Sequence, residues 1–217
     1  MKHRRATFAG ARETRRLIVR AGCALFAEKG LPGVSVAEVA AAAKVFPNQI
    51  TYYFGSKDAL FAEVASRLIL EAAAAAEQAG STATSPQDYV RALGASILGP
   101  GMPAVLAFVE AMLLARRRPE LTAAVTATIA RLHREGERAI GQMTARAGWH
   151  MRASARAATQ NFWMTVLGLA LQRAATGADS GIAAAEALSL LESNLVEPDP
   201  KIRPIMEARQ EAGGGLP

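Results

Sequence analysis

From about Glu13 to Leu195 apolar residues recur at intervals of three and four, in runs broken by Gly, Pro, Ser and Asp, and no useful length of apolar–polar alternation occurs. An α-helix imposes that period on the face it buries, whereas a half-buried strand imposes a period of two. An all-α fold is therefore expected. The first helix runs from Glu13 to Lys29, with Leu17, Ile18, Ala21, Leu25 and Phe26 on one face, and Gly30, Pro32 and Gly33 stop it. Ser35 and Glu38 have the spacing of a capping box, which starts a short second helix through Val36, Val39 and Ala40 to about Ala43. Phe46-Pro47 opens a third, because proline in the first turn loses no helical hydrogen bond. It ends near Gly55. Ser56 then caps a fourth, carrying Leu60, Val64, Leu68 and Ile69 and running to about Ala79.

Two short helices joined by two or three residues behind a longer one form a helix-turn-helix. After a Ser/Thr-rich break at Gly80 to Pro86, further helices are expected over Tyr89–Leu98, Ala104–Ala115, Leu121–Ala147, Ala153–Ala175 and Ile182–Leu195. The expected division is an N-terminal arm and helix-turn-helix domain over 1–55, a helical effector-binding and dimerisation domain over 56–196, and a disordered tail over 197–217. Pro198, Pro200, Pro204 and three consecutive glycines mark the tail.

Charge is informative by position. Residues 1–60 hold ten Lys and Arg against four Asp and Glu, so they carry the whole net charge of +6. Such a local excess points to a polyanion, either nucleic acid or an anionic membrane surface. A single cysteine, Cys23, excludes an internal disulfide and fits a reducing compartment. No apolar run reaches the roughly 20 residues that span a bilayer, and the basic start lacks the pattern of a secretory signal. A cytoplasmic location is expected, with no cofactor.

The stretch VFPNQITYYFGSK, Val45 to Lys57, stands out from its Ala- and Arg-rich surroundings. On a helix, Val45, Ile50 and Phe54 supply a packing face and leave Asn48, Gln49, Thr51 and Tyr52 opposite. A helix in the major groove needs such a division. Asn and Gln can bond adenine bidentately, and Thr offers both a methyl and a hydroxyl to base edges. Tyrosine hydroxyls and Lys57 suit backbone phosphate.

Ser35 to Leu60, SVAEVAAAAKVFPNQITYYFGSKDAL, resembles the DNA-binding signature of the tetracycline-repressor (TetR) family of bacterial regulators. The resemblance rests on Phe26-Ala27-Glu28-Lys29-Gly30, Val39-Ala40, Ala43, Val45, Tyr53-Phe54, Ser56-Lys57 and Leu60-Phe61, within residues 12–65. It implies a homodimeric repressor that binds a palindromic operator and is released by a small-molecule effector. Carried over by position, Ser35, Pro47, Asn48, Gln49, Thr51, Tyr52 and Lys57 face DNA, Tyr53 reaches phosphate from a partly packed position, and Lys44 approaches the backbone from the turn. Lys2, Arg4 and Arg5 form an arm toward the minor groove. Three positions depart from the family pattern. Lys44 replaces the usual turn glycine, Phe46 replaces a small polar cap and adds a packing anchor, and Thr51 replaces the commoner aromatic.

In the second half, Phe108, Met112, His133, Met143, Phe162 and Trp163 are candidates for an apolar effector pocket, with Trp149 nearby and Gln142, Gln160 and Asn161 as polar groups. Core packing is the simpler reading of each. The last two helices mix large apolar residues with Ala158, Gly168, Ala170 and Ala187. Small residues permit close helix approach, either in a bundle within one chain or in a four-helix seam between subunits; the palindromic operator that the resemblance implies, with two reading heads about 34 Å apart or a multiple of it, selects the two-fold dimer. His3, His133 and His150 lack metal-ligand spacing. A helical-bundle enzyme and a membrane-surface protein are the other classes open on sequence. The first lacks a spaced acid–base or metal set, and the second has no need of an Asn-Gln-Thr face.

Overall fold

The computed structural model describes residues 2–149, 151 and 153–176, and all regular structure among them is helical. The elements are α1 (Lys2–Lys29), α2 (Val36–Ala43), α3 (Pro47–Phe54), α4 (Lys57–Gly80), α5 (Pro86–Leu98), α6 (Met102–Arg117), a 3-10 turn (Pro119–Leu121), α7 (Thr122–Ala147) and α8 (Ala155–Thr176). The expected helix over 182–195 and the tail lie outside the described residues.

Capping chemistry sets the boundaries around the helix-turn-helix. Ser35 Oγ accepts from the Glu38 N–H, and the Glu38 carboxylate accepts from the Ser35 N–H at 2.8 Å, so both orphan donors at the start of α2 are satisfied. That bond from the Ser35 backbone, helped by Ser35 Oγ and Lys29, holds the Glu38 carboxyl down at about 2. Ser56 Oγ accepts from the Ala59 N–H and starts α4 in the same way. One boundary differs from expectation. The helix α1 begins at Lys2, so the arm expected from Lys2, Arg4 and Arg5 continues it. The segment from Lys2 to Ala9 has no breaker, and its Arg and Ala residues favour helix.

Helix α4 is the spine, packing against α1 and α3 near its start and against α5, α6 and α7 along its length, with α8 laid over α6 and α7. Phe26 of α1 meets Phe61 of α4 edge to face at 5.2 Å, both rings buried. The two helices approach closely at Gly22, where a Cβ would lie 2.9 Å from Val64 Cγ2. Ile18, Val39, Ile50, Leu60 and Val64 complete the core of the head, and burying each such side chain contributes about 1.5–3 kcal/mol.

The head is also tied to the second half by polar contacts. Arg118, just past α6, donates to Asp58 in the first turn of α4. The Glu110 carboxylate of α6 faces the Leu31 backbone in the α1–α2 loop, and burial raises its pKa against the lowering effect of that backbone. No single helix among the described residues is long and apolar enough to cross a membrane.

Candidate nucleic-acid interface and effector cavity

Helix α3 is held from behind and open in front. Ile50 is buried, and Val45 and Phe54 pack partly against the core. Asn48, Thr51 and Tyr52, spaced at i, i+3 and i+4, are exposed together. Tyr53 is half-buried, and its ring supports that of Tyr52 edge to face at 5.0 Å. Ser35, Lys44 and Pro47 are exposed on the same end of the molecule, around the turn and the starts of α2 and α3. Arg15 lies over the Phe54 ring at 5.0 Å and pairs with Glu63, so part of the basic excess braces α3 against α1 and α4.

Two expected DNA-facing side chains carry structural bonds as well. Gln49 is half-buried, and its Oε1 accepts from the Phe46 N–H at 3.0 Å. A bidentate grip on adenine needs that oxygen as acceptor, so the cap competes with such a grip for the same atom, while the amide NH2 stays free to donate outward. Lys57 Nζ donates to the carbonyls of Leu31 and Val34, each at 3.0 Å, pinning the α1–α2 loop. An ammonium has three donors, and one is left. Neither role has a sequence signal beyond Gln49 standing three residues after Phe46, the capping-box offset.

Two departures from the family pattern take definite form. Lys44 adopts the left-handed conformation, φ 55 and ψ 45, closing α2 with its N–H on the carbonyls of Ala40 and Ala41. Phe46 is 77% exposed, so the packing anchor expected there is absent. Val45 turns inward at the preceding residue, and the extended backbone of Phe46 sends its ring to the opposite side.

The second half encloses a cavity of about 550 Å³ between α4, α5, α7 and α8. Met143, Phe162 and Trp163 line it, together with Trp149 and Gln142. The other three expected pocket residues do not. Phe108 is fully buried in the core, Met112 is half-buried against it, and no α6 side chain reaches the cavity. On α7 the lining stripe runs through Leu132, Glu135, Gly136, Ala139 and Met143, and His133 is turned about 100° away from Leu132. Gln160 and Asn161 also point elsewhere.

The polar pole of the cavity is a pair that sequence reading missed. Tyr89 Oη donates to Glu77 Oε2 at 2.6 Å. Burial pushes the Glu77 carboxyl up against the opposing effects of that bond and of Arg138, and burial likewise raises the Tyr89 hydroxyl. No group of three or more His, Cys, Asp or Glu among the described residues is placed to hold a metal ion.

A braced helix showing an amide, a hydroxyl and a phenol outward, on a head that carries the chain's net positive charge, defines a helix-turn-helix DNA-binding protein with a separate helical domain behind it. Residues 18–64 match the family model of bacterial regulatory proteins of the tetR family, and residues 86–192 match that of a bacterial transcriptional repressor C-terminal domain. A solved protein from Rhodococcus sp. RHA1, regarded as a transcriptional regulator, is 41% identical, with 86% of this chain and 97% of that one covered and a TM-score of 0.76. The multidrug binding protein EbrR, solved with imidazole, is 25% identical over 85% of this chain and 90% of that one, with a TM-score of 0.56. A TetR-family regulator from Rhodococcus sp., 22% identical over 83% and 95% of the two chains, shares the fold at a TM-score of 0.63. No curated protein matches the sequence. The chain belongs to the TetR family of transcriptional regulators.

Proposed function

We propose that this regulator represses transcription as a homodimer on a palindromic operator and leaves it when a largely apolar small molecule occupies the cavity. Asn48, Thr51 and Tyr52 read base edges. Lys44, Ser35, Pro47 and Tyr53 meet the sugar-phosphate backbone, and Lys57 uses its remaining donor on phosphate while holding the loop. Gln49 caps α3 and offers its amide donors. The reading head is residues 1–55 and the effector and dimer domain is 56–196, with α8 and the helix expected over 182–195 at the two-fold seam. The observation that carries this reading is the shared exposed face of Asn48, Thr51 and Tyr52 over a buried Ile50.

The switch rests on α4, which belongs to both halves. Lys57, at its start, clamps the head through Leu31 and Val34, and Glu77, at its far end, lies in the cavity wall. Twenty residues of helix separate them by about 30 Å. An effector that fits the cavity only when the far end of α4 shifts would move both heads, and it must bind that state more tightly than the DNA-competent one. The Tyr89–Glu77 pair gives an otherwise apolar ligand one oriented polar contact.

Titration of fluorescent duplexes with full-length protein over a range of salt tests the reading. A steep loss of affinity with salt, together with tighter binding to genomic fragments selected by the protein than to random DNA, is the expected result. Equal binding to every duplex, or binding to anionic vesicles in preference to DNA, would overturn it.

A further inference from the structure

Among the described residues five large apolar side chains are exposed, and two of them, Phe46 and Tyr52, belong to α3 and its cap. Tyr52 has a hydroxyl for phosphate or base and leans on Tyr53. Phe46 has neither a polar atom nor an aromatic partner among the described residues. Its backbone is fixed, with φ −77 and ψ 143, its N–H held by Gln49 Oε1 and its carbonyl accepting from the Gln49 N–H at 2.9 Å, so the ring leaves the helix start in a set direction. The start of a recognition helix is the part that enters the major groove.

A phenyl ring can neither donate to a base edge nor pair with phosphate. The apolar group that B-DNA presents in the major groove is the C5-methyl of thymine. Resting on the reading of α3 as the recognition helix, we propose that Phe46 is a specificity-determining residue that packs its ring on a thymine methyl in each operator half-site. The contact selects thymine over cytosine and over uracil at one position, and it excludes water from the groove beside Asn48. Preordering by Gln49 makes the contact cheap in lost freedom, since the backbone that carries the ring is fixed before DNA arrives.

Deoxyuridine scanning tests the assignment, because it deletes the methyl and leaves every hydrogen-bonding group of the base in place. Duplexes enriched from a random pool by the full-length wild-type protein are resynthesised with each thymine in turn replaced by deoxyuridine, and titrated with wild type, Phe46→Ala and Phe46→Leu. One symmetric position per half-site is expected to cost wild type about three- to fivefold, as burial of a single methyl implies. That penalty vanishes in Phe46→Ala and partly returns in Phe46→Leu. Uniform weakening of all duplexes by Phe46→Ala, with no deoxyuridine effect, would place the ring on the sugar-phosphate backbone and overturn the assignment. A penalty that survives in Phe46→Ala would transfer the methyl to another side chain, with Thr51 the nearest candidate, and overturn it too. Failure of the wild type to enrich any sequence would instead overturn the reading of α3, a result distinguishable from either.

Discussion

Arg118 Nε stands 3.2 Å from Asp58 Oδ2, joining the end of α6 to the first turn of α4 across sixty residues of chain. The pair is on the surface, where such bridges contribute less than about 1 kcal/mol. Asp58 also complements the dipole at the start of α4, a further few tenths of a kcal/mol that Arg118 does not share. Asp58→Ala is therefore expected to lower stability slightly more than Arg118→Ala, and the double variant should match Asp58→Ala. Denaturant unfolding of the three variants checks the cycle.

Lys44 holds a left-handed conformation that costs a residue with a Cβ roughly 1–2 kcal/mol and costs glycine little. Lys44→Gly should raise unfolding stability by up to about 1 kcal/mol, the gain being reduced by the extra freedom glycine brings to the unfolded chain. If the ammonium meets phosphate, the same variant binds all duplexes more weakly, with a salt slope smaller by about one. Opposite signs for stability and affinity are the expected signature.

Gln49 separates capping from reading. Its Oε1 satisfies the Phe46 N–H, so Gln49→Ala should cost about 0.5–1 kcal/mol of stability and loosen the start of α3. A Gln49→Glu variant keeps the acceptor and should keep the stability, but it sets a negative charge beside DNA and loses affinity. Thermal unfolding and duplex titration of both variants make the comparison, and equal stability of Gln49→Ala and wild type would remove the cap from the account.

The buried Glu77 gives a pH signature. Its folded pKa lies above its unfolded value, so it binds protons more readily in the folded state. The stability it contributes is present below the unfolded carboxylate range and is lost as pH rises through the folded value. Glu77→Gln keeps an acceptor for the Tyr89 hydroxyl and has no proton to lose. Relative to wild type it should gain stability as pH rises above the ordinary carboxylate range. Glu38, held at about 2, acts in the opposite sense, its contribution being lost as pH falls from its ordinary value toward 2. Stability curves of wild type, Glu77→Gln and Glu38→Gln against pH resolve the two slopes.

Local signals located the head well. Ser35 with Glu38, Pro47 after Phe46, and Ser56 before α4 fix helix ends by short-range bonds, and the bounds of α2, α3 and α4 follow from them. Tertiary choices were less legible. The period that marks Phe108 and Met143 as apolar is the same for both, yet one fills the core and the other faces a cavity, because helix phase against distant neighbours decides. His133 and Leu132 show the same limit at adjacent positions. Tyr89 with Glu77 and Arg118 with Asp58 are invisible in sequence, since twelve and sixty residues separate the partners and neither spacing is a local motif. The exposure of Phe46 ran against its residue type, and a departure of that kind marks a surface with work to do.

Selection of duplexes from a random pool by wild type, Asn48→Ala and Thr51→Ala tests the claim that α3 reads sequence. Wild type should enrich a two-fold symmetric site with half-site centres one helical turn apart or a multiple of it, and both variants should lose that enrichment while still binding random DNA at low salt. Enrichment of the same site by the variants, or no enrichment by wild type, would contradict it.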